Sequence, residues 1–147
     1  MVAPVREHSR RILLVDDNEV VLRTLQRAFV RRGFDIVAAL SGTTALHLLP
    51  GGRFDTVVSD YMLGPGIDGL AVLEAAARLY PESTRILLTG SADTEVYAAQ
   101  ERGRTITYLL HKPVEFARLY RCIASSGAHA ESAPARSPSS ASERLER

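Results

Sequence analysis

Ile12-Leu13-Leu14-Val15-Asp16-Asp17 is an apolar run that ends abruptly in two acids. Three further runs end in the same manner. Phe54-Asp55-Thr56-Val57-Val58-Ser59 leads into Asp60, Ile86-Leu87-Leu88 into Thr89, and Tyr108-Leu109-Leu110-His111 into Lys112-Pro113. If these runs are parallel strands of one sheet, three carboxylates, a hydroxyl and an ammonium converge on one edge. Open α/β sheets bind their ligands there, outside the carboxyl ends of the strands. The spacing therefore predicts a fold and also the place where its chemistry sits.

Between the runs the periodicity turns helical. Val21, Leu25, Ala28 and Phe29 recur at helical spacing, and Gly33 closes the segment. Phe34 to Ala39 reads as a second strand. Ser41-Gly42 opens a short helix through Leu46 and Leu49, closed by Pro50-Gly51-Gly52. After Asp60 comes a Gly/Pro-rich loop, and Asp68 caps a helix whose apolar face is Leu70, Leu73, Ala77 and Leu79 or Tyr80, ended by Pro81. Arg85 to Thr89 is the fourth strand. Ser91 or Asp93 caps a weaker helix through Val96 and Ala99 toward Gly103. Thr105 to His111 is the fifth strand, and Pro113 begins the last helix, through Phe116, Leu119, Tyr120 and Ile123.

Five strands alternating with five helices imply an α/β fold. The expected architecture is a five-stranded parallel sheet of order 2-1-3-4-5, flavodoxin-like, with right-handed crossovers and helices on both faces. Near-continuous apolar strands agree with this, since a strand covered on both sides has no polar face. Residues 1–10 read as a flexible lead, 11–124 as the folded domain, and 125–147 as a disordered Ser/Ala/Pro-rich tail too poor in large apolar residues to offset its ordering entropy.

Composition bounds the function. The chain has 147 residues, 46% hydrophobic and 24% charged, with a formal net charge of +1. That is one ordinary globular domain with a real core. Basic residues occur only in short clusters such as Arg10-Arg11 and Arg31-Arg32, with no concentrated face for direct nucleic-acid binding. The single Cys122 excludes an internal disulfide framework and reads as a packed thiol. The N-terminus has no signal-peptide core, and no apolar run approaches the roughly 20 residues of a membrane helix, so the expectation is a cytoplasmic protein without membrane contact. His8, His47 and His129 have no metal-ligand spacing with one another or with Cys122. His111 should point away from Lys112 by strand alternation and reads as a surface histidine.

The strand-end set has a chemistry of its own. Carboxylates crowded together without a counter-ion raise one another's pKa until one protonates. A divalent cation removes that cost, and Mg²⁺ is typically held by one or two carboxylates together with waters and phosphate oxygens. A carboxylate can then attack a phosphoryl group. Thr89 and Lys112 are the donors available to the phosphoryl oxygens.

These residues resemble the receiver domain of the bacterial two-component response regulators over residues 11 to 124. The resemblance implies that Asp60 is the phosphoacceptor, Asp17 a direct Mg²⁺ ligand and Asp16 an acid that holds the metal through water. It also implies that the backbone carbonyl of Met62 is a metal ligand, Thr89 the switch hydroxyl and Lys112, followed by Pro113, the phosphate-binding lysine. The implied donor is a phosphohistidine on a sensor histidine kinase or phosphotransfer protein. The implied output is a conformational change that alters contacts with another protein. In the family that surface is the face of the fourth helix, fifth strand and fifth helix, which also serves homodimerisation. Such a protein catalyses only its own phosphorylation and dephosphorylation.

Two departures stand out. Asp60-Tyr61-Met62-Leu63-Gly64-Pro65-Gly66-Ile67-Asp68-Gly69 reaches its Asp-Gly one residue later than the commoner family pattern. The family also places an aromatic residue three positions before the lysine, where this chain has Leu109, with Tyr108 one residue earlier. Either a local irregularity lets Tyr108 serve, or the aromatic relay is absent; strand alternation favours the second. Met62 and Ser91, two residues past acceptor and hydroxyl, either tune phosphoryl lifetime or are plain loop residues. A phosphorylation-independent docking module is the rival reading. A phosphohydrolase would need a substrate pocket or cap insertion, and a nucleotide site would need a Gly-rich loop where Asp16-Asp17-Asn18 stands. No output domain follows in this sequence; if it is the full chain, the expected output is protein contact, sequestration or phosphate relay.

Overall fold

The computed structural model describes residues 10–90, 103 and 105–131. Its strands are β1 (Arg11–Val15), β2 (Asp35–Ala39), β3 (Thr56–Asp60), β4 (Thr84–Thr89) and β5 (Tyr108–His111). Its helices are α1 (Glu19–Arg31), α2 (Gly42–Leu48, with a 3₁₀ turn at Leu49–Gly51), α3 (Gly69–Leu79) and a C-terminal helix, α4 (Phe116–Glu131). The strands form one parallel sheet in the order β2-β1-β3-β4-β5, as the alternation predicts. The helix expected through Val96 and Ala99 lies outside the described residues, as do residues 1–9 and 132–147.

Strand alternation divides the core into two layers. Ile12, Leu14, Val58, Ile86, Leu88, Tyr108 and Leu110 face one side, in the cluster that includes Leu22, Phe29, Leu119 and Ile123 of α1 and α4. Leu13, Val15, Val57, Leu87 and Leu109 face the other, in the cluster with Ala45, Val72, Leu73 and Ala76 of α2 and α3. Every residue of the central strand β3 is buried, which is why its sequence has no polar face to read.

The helix caps fix the phase of the helices. Asn18 in extended conformation accepts from the N–H groups of Val20 and Val21, Ser41 from Thr44, and Asp68 from Ala71 at 2.9 Å. In α1 this turns Leu22 and Phe29 inward, whereas Val21, expected on the apolar face, is 40% exposed. In α3 the buried stripe is Val72, Leu73 and Ala76, and Leu79 is exposed at the helix end next to Tyr80. The last helix also differs from expectation. The chain first turns through Lys112-Pro113-Val114, whose Lys112–Pro113 peptide is cis, and helical bonding starts from the Glu115 carbonyl. It continues to Glu131, past residue 124, through Ala124, Ala128 and Ala130, which favour the helix.

Close approach, not conformational freedom, explains Gly69. Its N–H donates to the Tyr61 carbonyl at 2.9 Å, and a β-carbon there would overlap the carbonyl oxygen of Asp60 and stand 2.8 Å from Ser59 Oγ. The first turn of α3 thus lies directly on the end of β3, which fixes where Asp60 stands.

Candidate functional site

Parallel register brings the polar strand ends to one edge. Val15 pairs with Ala39 and Ser59, Asp60 with Leu88, and Thr89 with His111. Asp16 and Asp17 follow β1, Asp60 ends β3 and Thr89 ends β4. Lys112 follows β5, its backbone N–H bonded to the Thr89 carbonyl at 2.8 Å. One carboxylate oxygen each from Asp16, Asp17 and Asp60 lies within 4.8 Å of the others. Lys112 Nζ donates to Asp60 Oδ2 at 3.0 Å.

Exposure sorts these groups. Asp16 and Asp60 are each 5% exposed and Thr89 1%, while Asp17 is exposed. Met62, the first loop residue after Tyr61, is 65% exposed. Asp16 Oδ1 accepts the Asn18 N–H at 2.9 Å, so the residue that caps α1 also orients the first acid. Asn18 joins the site through this bond, and an Asn just before a helical run is the cap signal by which it could be found.

Asp16 is held above the usual carboxylate range. Burial is the main cause, reinforced by the nearby charges of Asp60 and Asp17 and opposed by the Asn18 N–H and by Lys112. The folded protein therefore keeps a proton on Asp16 at pH values where the unfolded chain has lost it. Stability from this group falls as pH rises from the ordinary carboxylate value through the raised one, and stays lower above it. In EDTA, Asp16→Asn should melt above wild type at pH 7, with the difference shrinking as pH falls toward about 4. Thermal melts across that range measure it, and a constant difference would contradict the shift.

The donor set fits a hard divalent cation. All three side chains offer carboxylate oxygen, none offers imidazole or thiolate, and a cation would relieve both the burial of the Asp16 charge and its repulsion by Asp60 and Asp17.

The aromatic position is resolved by register. β5 pairs regularly with β4 from Ile86↔Tyr108 to Thr89↔His111. Tyr108 is buried in the α1/α4 layer, and Leu109 in the α2/α3 layer. The irregularity that would let Tyr108 stand in for Leu109 is absent from this strand. Ser91 lies outside the described residues. Arg85 is a buried group with no signal in the sequence to mark it. Its Nε donates to the Thr105 carbonyl at 2.8 Å and its Nη1 to the Ser83 carbonyl at 2.9 Å, and burial pushes its pKa down. It ties the turn after α3 to the approach to β5.

Comparison with known proteins agrees with this arrangement. Residues 12–124 match the family model described as "Response regulator receiver domain". The chain belongs to that family, and so is a receiver domain of two-component signal transduction. It is 34% identical over 109 residues to the regulatory protein AtoC of Escherichia coli K12, covering 74% of this chain and 23% of AtoC. The chain thus spans about a quarter of that relative's length. Among solved structures, the signal receiver domain of an HD domain-containing protein from Pseudomonas fluorescens Pf-5 is 34% identical. Its TM-score is 0.76, covering 85% of this chain and 99% of that one. A Burkholderia pseudomallei response regulator, solved with a phosphorylated aspartic acid, calcium ion and citrate, is 29% identical. Its TM-score is 0.69, with 85% and 74% coverage.

Proposed function

We propose that Asp60 accepts a phosphoryl group from a phosphohistidine of a sensor kinase or phosphotransfer protein, and that the phosphorylated domain presents an altered surface to an output protein. The observation that carries this is the contact of Lys112 Nζ with Asp60 Oδ2 at 3.0 Å, beside two further carboxylates. A lysine already on the acceptor can pass to a phosphoryl oxygen once the acceptor is esterified. The phosphorylated aspartate and cation of the Burkholderia relative support the same reading.

In the transfer, an Asp60 carboxylate oxygen forms the new P–O bond as the P–N bond to the donor imidazole breaks, and the imidazole nitrogen leaves with the electron pair. Mg²⁺, held by Asp17, Asp60 and the Met62 carbonyl, with Asp16 acting through water, would supply charge neutralisation for the phosphoryl oxygens. Lys112, already on Asp60, would offset the same charge. Thr89, buried at the end of β4, donates its hydroxyl to the phosphoryl group, which biases the surrounding surface between two states.

Incubation with acetyl phosphate and Mg²⁺, followed by intact mass measurement, tests the reading. One added phosphoryl group, blocked by EDTA, is expected; no addition to wild type would overturn it. The second reading, docking without phosphorylation, draws on Leu109 in the place of the aromatic. Partner binding that is indifferent to Asp60→Ala would decide for it.

A further inference from the structure

The loop between β3 and α3 is pinned at its base and open at its tip. Tyr61 N–H donates to Leu88 O at 2.8 Å and Gly69 N–H to Tyr61 O at 2.9 Å, so entry and exit lie side by side. Farther out, Ile67 rests on the start of α2, where a β-carbon on Gly42 would stand 2.8 Å from Ile67 Cγ2. Between these anchors, Gly64 and Gly66 have φ of 84° and 100°, a region that L side chains rarely adopt. The two glycines carry similar backbone demands and differ in their surroundings. A β-carbon on Gly66 would meet nothing within 4 Å, whereas one on Gly64 would stand 3.9 Å from Asp17 Oδ2.

We propose that Gly64 is a positioning residue for the cation site: its missing side chain keeps open the solvent slot beside Asp17 in which the waters of a bound divalent cation sit. The proposal rests on the cation reading above. A Mg²⁺ ion lies about 2.1 Å from a ligand oxygen and keeps several waters at similar distance, so those waters fall within about 3–4 Å of the carboxylate. A carbon at 3.9 Å competes for that shell and strips solvent from the exposed acid of the trio. Mg²⁺ dehydrates reluctantly and demands octahedral geometry, so it suffers most. Ca²⁺ accepts irregular shells and suffers less.

The paired glycines supply the test. Mg²⁺ and Ca²⁺ affinities are measured by calorimetry on wild type, Gly64→Leu, Gly64→Asn and Gly66→Leu, with folding checked by circular dichroism. Gly64→Leu should raise the Mg²⁺ Kd about tenfold, the low end of the range for groups just outside a metal's ligands, and the Ca²⁺ Kd by about threefold. Gly66→Leu, with the same left-handed backbone, should leave both within about twofold. Asn tolerates that backbone, so Gly64→Asn carries the test if leucine unfolds the protein; a severalfold loss of Mg²⁺ affinity is expected. Equal losses at both positions, or no loss at Gly64, would overturn the proposal. Wild type that binds neither ion, or Asp17→Asn with unchanged affinity, would instead remove the cation reading itself.

Discussion

Alanine at Gly69 should destabilise the domain by about 3 kcal/mol, at the upper end of what overpacking costs. The added methyl would overlap the Asp60 carbonyl and press on Ser59 Oγ. Neither side can give way cheaply. β3 is the central strand, buried along its whole length, and α3 is held by Val72, Leu73 and Ala76 in the core. Urea unfolding measures the effect, which should appear as a lower midpoint with an unchanged m-value. Gly51→Ala is the matched control, because a β-carbon there meets nothing within 4 Å, and it should be nearly neutral. Any Gly69→Ala protein that does fold should also take up phosphoryl groups poorly, because α3 and the acceptor cannot both keep their places. A change within about 0.5 kcal/mol of wild type, the size of an ordinary surface substitution, would mean that the contact relaxes freely.

The second large effect is chemical. Asp60→Asn should abolish phosphoryl uptake while preserving the fold, since the amide keeps the shape of a side chain only 5% exposed but is no nucleophile. Lys112→Ala should slow uptake by about a hundredfold, the usual scale for losing one preorganised donor to developing charge. Lys112 is itself half-exposed and fills no core space, so the variant should stay folded, at some cost from leaving the buried Asp60 carboxylate without its cation. Intact mass against time separates the two variants: Asp60→Asn gives no signal at any time, and Lys112→Ala a slow one. Equal labelling of wild type and Asp60→Asn would place the acceptor elsewhere.

Much of this molecule could be read from local pattern. Short apolar runs ending near Asp, Thr or Lys gave the strands, because burial on both faces leaves few polar residues before the sheet edge. Asp68 and Ser41 were legible as caps because capping is a local hydrogen bond. The phase of α1 was less legible. Val21 and Leu22 are both apolar neighbours, and only the docked helix decides which of them faces Phe29 and the sheet. The start of α4 was misplaced by three residues because a Pro at a helix start and a Pro in the preceding turn look alike in sequence. Arg85 read as an ordinary first residue of a strand, since its backbone-carbonyl partners come from two loops distant in sequence.

The sequence by itself determined the order of elements, the sheet edge that carries chemistry and the succession of acid, acid, hydroxyl and ammonium along it. Each of these depends on periodicity and on where a run stops, which are properties of neighbouring residues. Only the tertiary structure decided that Asp16 and Asp60 are buried while Asp17 faces solvent, that Lys112 reaches Asp60, and that Gly64 and Gly66 differ in what stands beside them. Burial and reach depend on how separate segments pack against one another, and no single stretch of chain contains that information.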